Sequence, residues 1–251
     1  KIFEAAGVNY AVLGEMELCC GDPVRRLGNE ASFQAMVQMT KEALQDAEVT
    51  VKKVITICPH CFNTLANDYK DFGLDWEVFH HTQFIADLIK LGKIKLEKGP
   101  AKTAVVHDSC FLGRYNDIYE APREIARAAG LNLVTLSQSM DNGFCCGGGG
   151  GRTWLEEEVE KIDDKINITR VKQLAGTGAK VYASACPYCM MMFDEGTKLK
   201  KVQKGDAIWN AYKVGSTEMA NEESVDLFDL VELKDIAEIA AECLPKTEAE
   251  A

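Results

Sequence analysis

Nine of the ten cysteines fall into two similar groups, each containing an adjacent pair and a C-x-x-C pair. The first group comprises Cys19, Cys20, Cys58 and Cys61. The second group comprises Cys110, Cys145, Cys146, Cys186 and Cys189. Thiolates are soft ligands that bind zinc, copper(I) or iron–sulfur clusters. The two groups therefore predict a metal centre in each half of the chain.

The second group has five thiols, one more than a closed tetrahedral zinc site requires. Five thiols suit an iron–sulfur centre with several iron atoms. The pair Cys186 and Cys189 is expected where a strand meets a helix, and the positive end of a helix favours thiolate. A C-P-x-C pair after a strand is also typical of thioredoxin-like redox motifs, but the adjacent pair is not part of that pattern. The four thiols of the first group could hold zinc, so zinc remains an alternative there.

An unbroken glycine run, 147–151, follows Cys146. Glycine lets the backbone come close to a bulky group and adopt positive φ, and its N–H groups can point at an anionic cluster. We therefore predict that Gly147, Gly148 and Gly149 help to bind the cofactor. His107 stands at the end of a predicted strand shortly before Cys110. We expect its ring to donate or accept a hydrogen bond beside the cofactor.

Composition excludes several classes of protein. The net charge is -11, from 39 acidic and 28 basic residues, which argues against a nucleic-acid-binding face. No apolar run reaches the ~18 residues of a membrane-spanning helix. Ten cysteines in 251 residues are too few for a small disulfide scaffold. With 47% hydrophobic residues, the chain can bury a substantial core.

Strand-like and helix-like segments alternate, which predicts an α/β fold with parallel-type sheets flanked by helices. We expect strands at 8–13, 54–57, 76–79, 103–107, 131–136, 181–183 and 225–228. We expect longer helices at 30–47, 82–91, 120–129, 153–175 and 230–243, and shorter ones after each C-x-x-C pair. The charged stretch 93–100 ends in Gly-Pro and is typical of a linker. It divides the chain into two similar domains, 1–98 and 99–251.

The spacing of the cysteines indicates an internal repeat. The adjacent pairs, Cys19-Cys20 and Cys145-Cys146, are 126 residues apart, and the C-x-x-C pairs are 128 residues apart. The segment 77–79 is expected to correspond to 226–228, each followed by a helix. A counterpart of Cys110 would fall before Lys1, so we expect this chain to be part of a longer protein whose preceding segment supplies that cysteine.

The motifs resemble those of the cysteine-rich CCG domain, which occurs in the HdrB and HdrD proteins of heterodisulfide reductases and in the iron–sulfur subunits of glycolate, lactate and glycerol-3-phosphate oxidases. The stretches that carry this resemblance are GDPVRRLGNE at 21–30, CPHCFNT at 58–64, HDSCFLGRYN at 107–116 and CCG at 145–147. They are most similar to the HdrD-like iron–sulfur oxidoreductases associated with electron-transfer flavoprotein. The resemblance covers nearly the whole chain and matches the C-terminal tandem CCG portion of longer proteins.

This resemblance implies an iron–sulfur oxidoreductase subunit with one or two [4Fe-4S] clusters, which are noncubane in the HdrB protein. Electrons would pass between a reduced flavoprotein and a quinone or a ferredoxin-type module. The alternatives are a disulfide reductase acting at a noncubane cluster and a zinc-stabilised assembly subunit. The resemblance also implies a cytoplasmic-side location, with membrane association through a preceding region or a partner subunit.

Overall fold

The computed structural model describes residues 1–155 and 159–246. The α-helices are α1 (Ile2–Ala5), α2 (Asp22–Arg26), α3 (Glu30–Asp46), α4 (Pro59–Ala66), α5 (His81–Lys90), α6 (Glu120–Ala128), α7 (Ile166–Ala175), α8 (Pro187–Leu199), α9 (Ala207–Ala211) and α10 (Ile236–Glu242). The strands are β1 (Lys53–Thr56), β2 (Glu77–His80), β3 (Thr103–Val106), β4 (Asn132–Leu133), β5 (Val181–Ser184), β6 (Lys201–Gln203), β7 (Ser224–Asp226) and β8 (Glu232–Asp235).

Two parallel sheets support the fold, as the sequence predicts. In the first half β1 pairs with β2, with Thr56 opposite His80. In the second half the strand order is β4-β3-β5-β8, and every neighbouring pair is parallel. All four residues of β5 are buried, because an interior strand of a parallel sheet is covered on both faces. A separate antiparallel pair, β6 and β7, lies outside these sheets.

Each C-x-x-C motif stands where a central strand passes into a helix. Cys58 is the N-cap of α4 and Cys186 is the N-cap of α8. The proline that follows each cysteine occupies the first helical turn, where its missing N–H costs nothing. The same strand, turn and helix are thus built twice, which confirms the predicted repeat at these motifs.

One hydrophobic cluster joins the two halves of the chain. Ile85 of α5 and Leu96 of the predicted linker belong to the same buried cluster as Ala104 of β3, Ile125 of α6 and Ile236 of α10. Apolar side chains from 1–98 and 99–251 are therefore removed from water together. The boundary between 98 and 99 stays a prediction.

Several predicted elements differ from the observed ones. The segment 8–13 forms no strand, and the strand predicted at 131–136 shortens to β4. In place of a helix beginning at residue 153, a 3-10 turn covers Arg152–Trp154, and α7 begins only at Ile166. The residues 156–158 of that predicted helix lie outside the described residues.

The predicted equivalence of 77–79 with 226–228 is wrong. The strand β7 pairs antiparallel with β6, and the structural counterpart of β2 is β8. Both β2 and β8 lead into a helix with a capping box, formed by His80 with Gln83 and by Asp235 with Glu238. The inserted β6–β7 pair separates β8 from β5, so a fixed sequence offset fails there.

Across the described ranges, no helix has both the length and the apolar character to cross a bilayer.

Candidate metal centre

The first cysteine group gathers at the carboxyl end of β1. Sγ of Cys20 lies 3.3 Å from Sγ of Cys61. The Cys20 thiol also interacts with that of Cys19, and the Cys58 thiol interacts with that of Cys61. Cys19 is exposed, whereas Cys20 and Cys58 are buried. The four predicted ligands of the first half are therefore brought together, with Cys19 at the solvent edge.

The second cysteine group gathers at the carboxyl ends of β3 and β5. Its members interact in sequence: Cys110 with Cys145, Cys145 with Cys146, Cys146 with Cys189, and Cys189 with Cys186. Three of the five are buried. The Ser109 hydroxyl lies 3.6 Å from Sγ of Cys189. All five predicted ligands of the second half are thus brought together.

The two groups touch each other through their C-x-x-C motifs. The Cys58 thiol interacts with the Cys186 thiol, its equivalent in the repeat. Nine thiols therefore form one continuous array that spans both halves. Cys243 lies apart from this array, with its Sγ 3.7 Å from the carbonyl oxygen of Ala129.

Contacts between thiols shift their pKa values in opposite directions. Hydrogen bonds from Cys19 and Cys61 lower the pKa of Cys20 to about 4. Hydrogen bonds from Cys186 and Cys61 lower the pKa of Cys58 to about 2.

In the second group, hydrogen bonds from Cys110 and Cys146 lower the pKa of Cys145 to about 2. The same contact with Cys145 raises the pKa of Cys146 to about 12. One thiolate can therefore be stabilised by protonated neighbours, but several buried thiolates need a cation to offset their mutual repulsion.

His60 occupies the variable position of the C-P-x-C motif and is a packing residue whose ring is anchored by a carboxylate. Its Nδ1 lies 2.8 Å from Oδ2 of Asp22, and its ring stacks on Phe111 with centroids 4.1 Å apart. Asp22 is buried and also accepts from Nε of Arg26 at 3.1 Å. Asp22 is not among the predicted site residues, although its place directly after Cys19-Cys20-Gly21 was the available signal.

The glycine run packs against the first half of the chain. A Cβ on Gly149 would lie 2.8 Å from Cε1 of His60, and one on Gly151 would lie 2.5 Å from Cγ of Leu27. A Cβ on Gly148 would lie 2.7 Å from Cγ of Met192. Close packing is therefore one reason for glycine at positions 148, 149 and 151, beside any role in holding a bound group.

Two N–H groups at the start of the glycine run contact cysteine sulfur atoms, while their predicted role toward a bound cluster stays a prediction. The N–H of Gly147, whose φ is +92°, donates to Sγ of Cys145 at 3.3 Å. The backbone N–H of Gly148 bonds to the Cys146 thiol and lowers its pKa, partly offsetting the contact with Cys145. In the first half, the N–H of Gly21 donates to Sγ of Cys19 at 3.5 Å. These N–H groups favour negative charge on the sulfur atoms that they contact.

His107 is fully buried and lies beside the second cysteine group. One of its ring nitrogens and the Sγ atoms of Cys146 and Cys189 all lie within 4.8 Å of one another. Arg170 donates from Nε to Nδ1 of His107 at 3.2 Å. Burial first, and the nearby Arg170 charge second, lower the pKa of His107 to about 3. Arg170 is a functional candidate that the sequence analysis missed, because nothing in α7 marks its position.

The nine clustered thiols and the buried His107 ring fit the ligand environment of an iron–sulfur centre. Soft thiol ligands dominate both groups, and the Nε2 atom of His107 is buried without a hydrogen-bond partner among the described residues. A buried polar atom of this kind calls for a partner that the protein itself does not supply. A group held by Cys146 and Cys189 would provide that partner.

Comparison with known proteins agrees with this chemistry. The chain is 43% identical over 204 residues to a protein of Bacillus subtilis (strain 168) named probable iron-sulfur-binding oxidoreductase FadF, covering 81% of this chain and 28% of that protein. It is 38% identical over 218 residues to EtfAB:quinone oxidoreductase of Syntrophomonas wolfei subsp. wolfei, covering 85% and 30%.

A third relative is the HdrD protein of the dihydromethanophenazine:CoB--CoM heterodisulfide reductase from Methanosarcina barkeri. It is 34% identical over 203 residues, covering 78% of this chain and 48% of that protein. The chain thus spans less than half the length of each of these three relatives. One relative is named an iron–sulfur-binding oxidoreductase, one a quinone oxidoreductase and one a component of a reductase, so iron–sulfur binding is supported and an electron-transfer role is consistent with them.

A family model described as a cysteine-rich domain, CCG, matches residues 1–66 and 104–194. These two stretches contain all nine cysteines of the array and exclude Cys243. The chain therefore belongs to the CCG family of cysteine-rich domains.

Proposed function

We propose that this chain is the electron-transferring portion of an iron–sulfur oxidoreductase with a [4Fe-4S] cluster, of noncubane type, in each half. The first cluster would be held by Cys19, Cys20, Cys58 and Cys61. The second would be held by Cys110, Cys145, Cys146, Cys186 and Cys189. When bound, such clusters supply one-electron redox chemistry, with potentials set by hydrogen bonds to sulfur, charge and burial.

The meeting of the two C-x-x-C motifs carries this proposal: the ring centroids of His60 and Tyr188 lie 4.8 Å apart, and the Cys58 thiol interacts with that of Cys186. Two ligand groups that touch let an electron pass between the halves without crossing a long stretch of protein. The chain supports this role with N–H donors at Cys19 and Cys145 and with a second group in which three of the five thiols are buried. We further propose that Gly147, Gly148 and Gly149 keep the backbone close to the second cluster.

The names of the relatives suggest the partners. One relative is named for electron-transfer flavoprotein and quinone, so we propose that electrons enter from a reduced flavoprotein and leave toward a quinone or a ferredoxin-type module. We also propose that the protein works at the cytoplasmic side of a membrane, associated through another region or a partner subunit. Net charge -11 suits docking to a basic surface of a protein partner.

A disulfide reductase is the second candidate, because one relative is a component of a heterodisulfide reductase. Such a reaction consumes two electrons and two protons for each disulfide, and it needs room for the substrate beside a ligand. The cavity that reaches Cys110 and Cys145, lined also by Arg114 and Tyr119, has a volume of only about 10 Å³. This is space for about one water molecule. This cavity is too small to admit a disulfide substrate beside Cys110 and Cys145.

Zinc in the first half is the remaining alternative, because four thiols make a complete tetrahedral site. That arrangement would make the first half a structural support for a single cluster in the second half. A chain holding zinc alone would be an assembly subunit. Metal analysis separates these possibilities directly.

A rapid-mixing experiment tests the proposed function. The anaerobically purified chain is mixed with reduced electron-transfer flavoprotein and then with a water-soluble quinone, and cluster absorbance is followed. We expect bleaching followed by recovery, with Cys243→Ser behaving like the wild type and Cys186→Ser losing the response. If reduced flavoprotein does not bleach the clusters, but the dithionite-reduced chain is reoxidised by added heterodisulfide and releases two thiols for each disulfide and two electrons consumed, the reductase function replaces electron transfer.

A further inference from the structure

Arg170 is the only arginine or lysine among the fully buried residues in the described part of the chain. It lies on α7, between the second cysteine group and the loop that precedes the adjacent pair. A buried guanidinium loses much hydration energy and normally stands against a carboxylate. Arg170 has no such ion pair in the described ranges, so the reason for its burial must lie elsewhere.

The hydrogen bonds of Arg170 go to neutral groups. Its Nη1 donates to the carbonyl oxygen of Gln138 at 3.0 Å and to Oε1 of Gln173 at 2.9 Å. Its Nη2 is buried with no hydrogen-bond partner among the described residues. The nearby carboxylate of Asp108 is engaged instead by Arg123, at 2.5 and 2.9 Å. Arg170 therefore has no direct carboxylate partner among the described residues, and the negative groups that act on its charge are Asp108, at longer range, and the thiols of the second cysteine group.

The remaining hydrogen bond of Arg170 determines which ring nitrogen of His107 carries the proton. A guanidinium can only donate, so Nδ1 of His107 must accept the bond from Nε of Arg170. A neutral imidazole whose Nδ1 accepts carries its proton on Nε2. This Nε2–H is buried and has no partner in the described ranges. A ring nitrogen of His107 lies within 4.8 Å of the Sγ atoms of Cys146 and Cys189.

We infer that Arg170 is a positioning residue for the second cluster: it holds His107 as the Nε2–H tautomer, so that this N–H donates to a sulfur of that cluster, and it supplies the buried positive charge that favours the reduced state. The inference rests on the proposed cluster in the second half. Taking up one electron adds negative charge without making or breaking a bond, and both the N–H donor and the cation stabilise added charge.

The first half, residues 1–98, has no fully buried arginine or lysine. Its buried charged residue is a carboxylate, Asp22, and its arginines, Arg25 and Arg26, are partly exposed and paired with acidic side chains. The buried cation and the Nε2–H donor therefore raise the potential of the second cluster and have no counterpart beside the first.

The tautomer of His107 can be read without any redox measurement. The chain contains four histidines, so selective ¹⁵N-histidine labelling gives few signals, and His107→Asn assigns the one of interest. We expect an unprotonated Nδ1 and a protonated Nε2 in the anaerobically purified wild type, with this preference lost in Arg170→Gln. A proton on Nδ1 in the wild type overturns the inference, whether or not a cluster is bound.

The potential of the second cluster is the other readout, measured by EPR-monitored redox titration. In Arg170→Gln we expect the ratio of reduced to oxidised cluster, at the wild-type midpoint, to fall at least tenfold, which is about 59 mV for a one-electron couple. Arg170→Lys keeps the charge and should recover part of the shift. Lys172→Gln removes an equal charge from a more exposed position on the same helix and should change the ratio less than twofold.

The two readouts separate the failure of this inference from failure of the proposed function. A chain that binds no iron contradicts the proposed cluster, while the His107 tautomer still reports on Arg170. Equal potential shifts in Arg170→Gln and Lys172→Gln overturn the specific role of Arg170, even though the cluster is present. If Arg170→Gln does not fold, the wild-type tautomer and the potential of His107→Asn, expected to be lower than the wild type, decide the matter.

Discussion

The rings of His60 and Tyr188 meet edge to face, with centroids 4.8 Å apart, although 128 residues separate them. They hold the same position in the two C-P-x-C motifs. Next to them, Cys58 and Cys186 are likewise equivalent and in contact. The two halves therefore pack with their C-x-x-C motifs face to face, as expected for a repeat related by an approximate two-fold axis. This packing brings the two candidate metal centres together.

Asp22→Asn should destabilise the interface by about 2–4 kcal/mol, because it removes the buried negative charge that His60 and Arg26 share. Denaturant unfolding under anaerobic conditions measures this loss. Asp75→Asn is the matched control, since Asp75 is exposed and pairs with Lys70 across the surface. It should change stability by less than ~0.5 kcal/mol. Equal effects of the two substitutions would contradict the role given to Asp22.

Gly149→Ala should cost about 1–3 kcal/mol, because the new Cβ would lie 2.8 Å from Cε1 of His60. The backbone at Gly149 does not require positive φ, so the cost is steric. Gly215→Ala is the control, because its nearest non-local atom is Nε1 of Trp209 at 3.7 Å. Thermal unfolding of both variants provides the comparison. An unchanged Tm for Gly149→Ala would show that the glycine run does not pack on His60 as described.

His80 should make the chain sensitive to mild acid. Burial, reinforced by the neighbouring His81, lowers the pKa of His80 to about 3, whereas an unfolded histidine titrates near 6.5. Between these two pKa values the unfolded state therefore binds up to one more proton than the folded state. His80 does not reduce the free energy of unfolding above pH 6.5, and it lowers that free energy progressively as the pH falls. The loss is about 2 kcal/mol at pH 5.

His80→Asn removes this titration while keeping a side-chain acceptor at the N-cap of α5. Unfolding curves at pH 7 and pH 5 should show the variant losing less stability than the wild type. Parallel losses in the two proteins would mean that His80 is not held neutral in the folded state.

Cysteine substitutions should show that the nine-thiol array binds iron and that the isolated thiol of Cys243 does not. Cys58→Ser and Cys186→Ser alter the point where the two groups touch, so each should reduce the iron bound by both halves. Cys243→Ser should leave the iron content unchanged, because Cys243 lies outside the array. Iron and acid-labile sulfide assays on the three variants, purified side by side, measure the difference. Loss of metal in Cys243→Ser alone would contradict the assigned groups.

Much of the fold could be predicted from local signals in the sequence. The strand, turn and helix around Cys58 and Cys186 follow from an apolar run, a proline and a helical pattern, and all of them lie within a short stretch. The nearly equal spacing of the cysteine pairs, 126 and 128 residues, then indicated the repeat. The strand β8 was missed because the inserted β6–β7 pair changes the spacing and a 3-10 turn at Leu227–Leu230 imitates the start of a helix.

The missed parts of the site depend on contacts distant in sequence. Arg170 meets His107 across 63 residues, and Asp22 meets His60 across 38 residues. A single arginine in an amphipathic helix ordinarily faces solvent, so its burial could not be predicted from its neighbours. The glycine run was recognised, but its packing on Leu27 and His60 depends on how the two halves meet.

The most direct test is whether the chain holds two iron–sulfur clusters. Iron, acid-labile sulfide and zinc per chain are measured on anaerobically purified protein, and EPR spectra are recorded for the oxidised and reduced forms. Two [4Fe-4S] clusters predict about eight iron and about eight sulfide per chain, with an EPR signal that changes on reduction. About four iron with one zinc would make the first half structural. Zinc alone, without sulfide or an EPR signal, would contradict electron transfer by this chain.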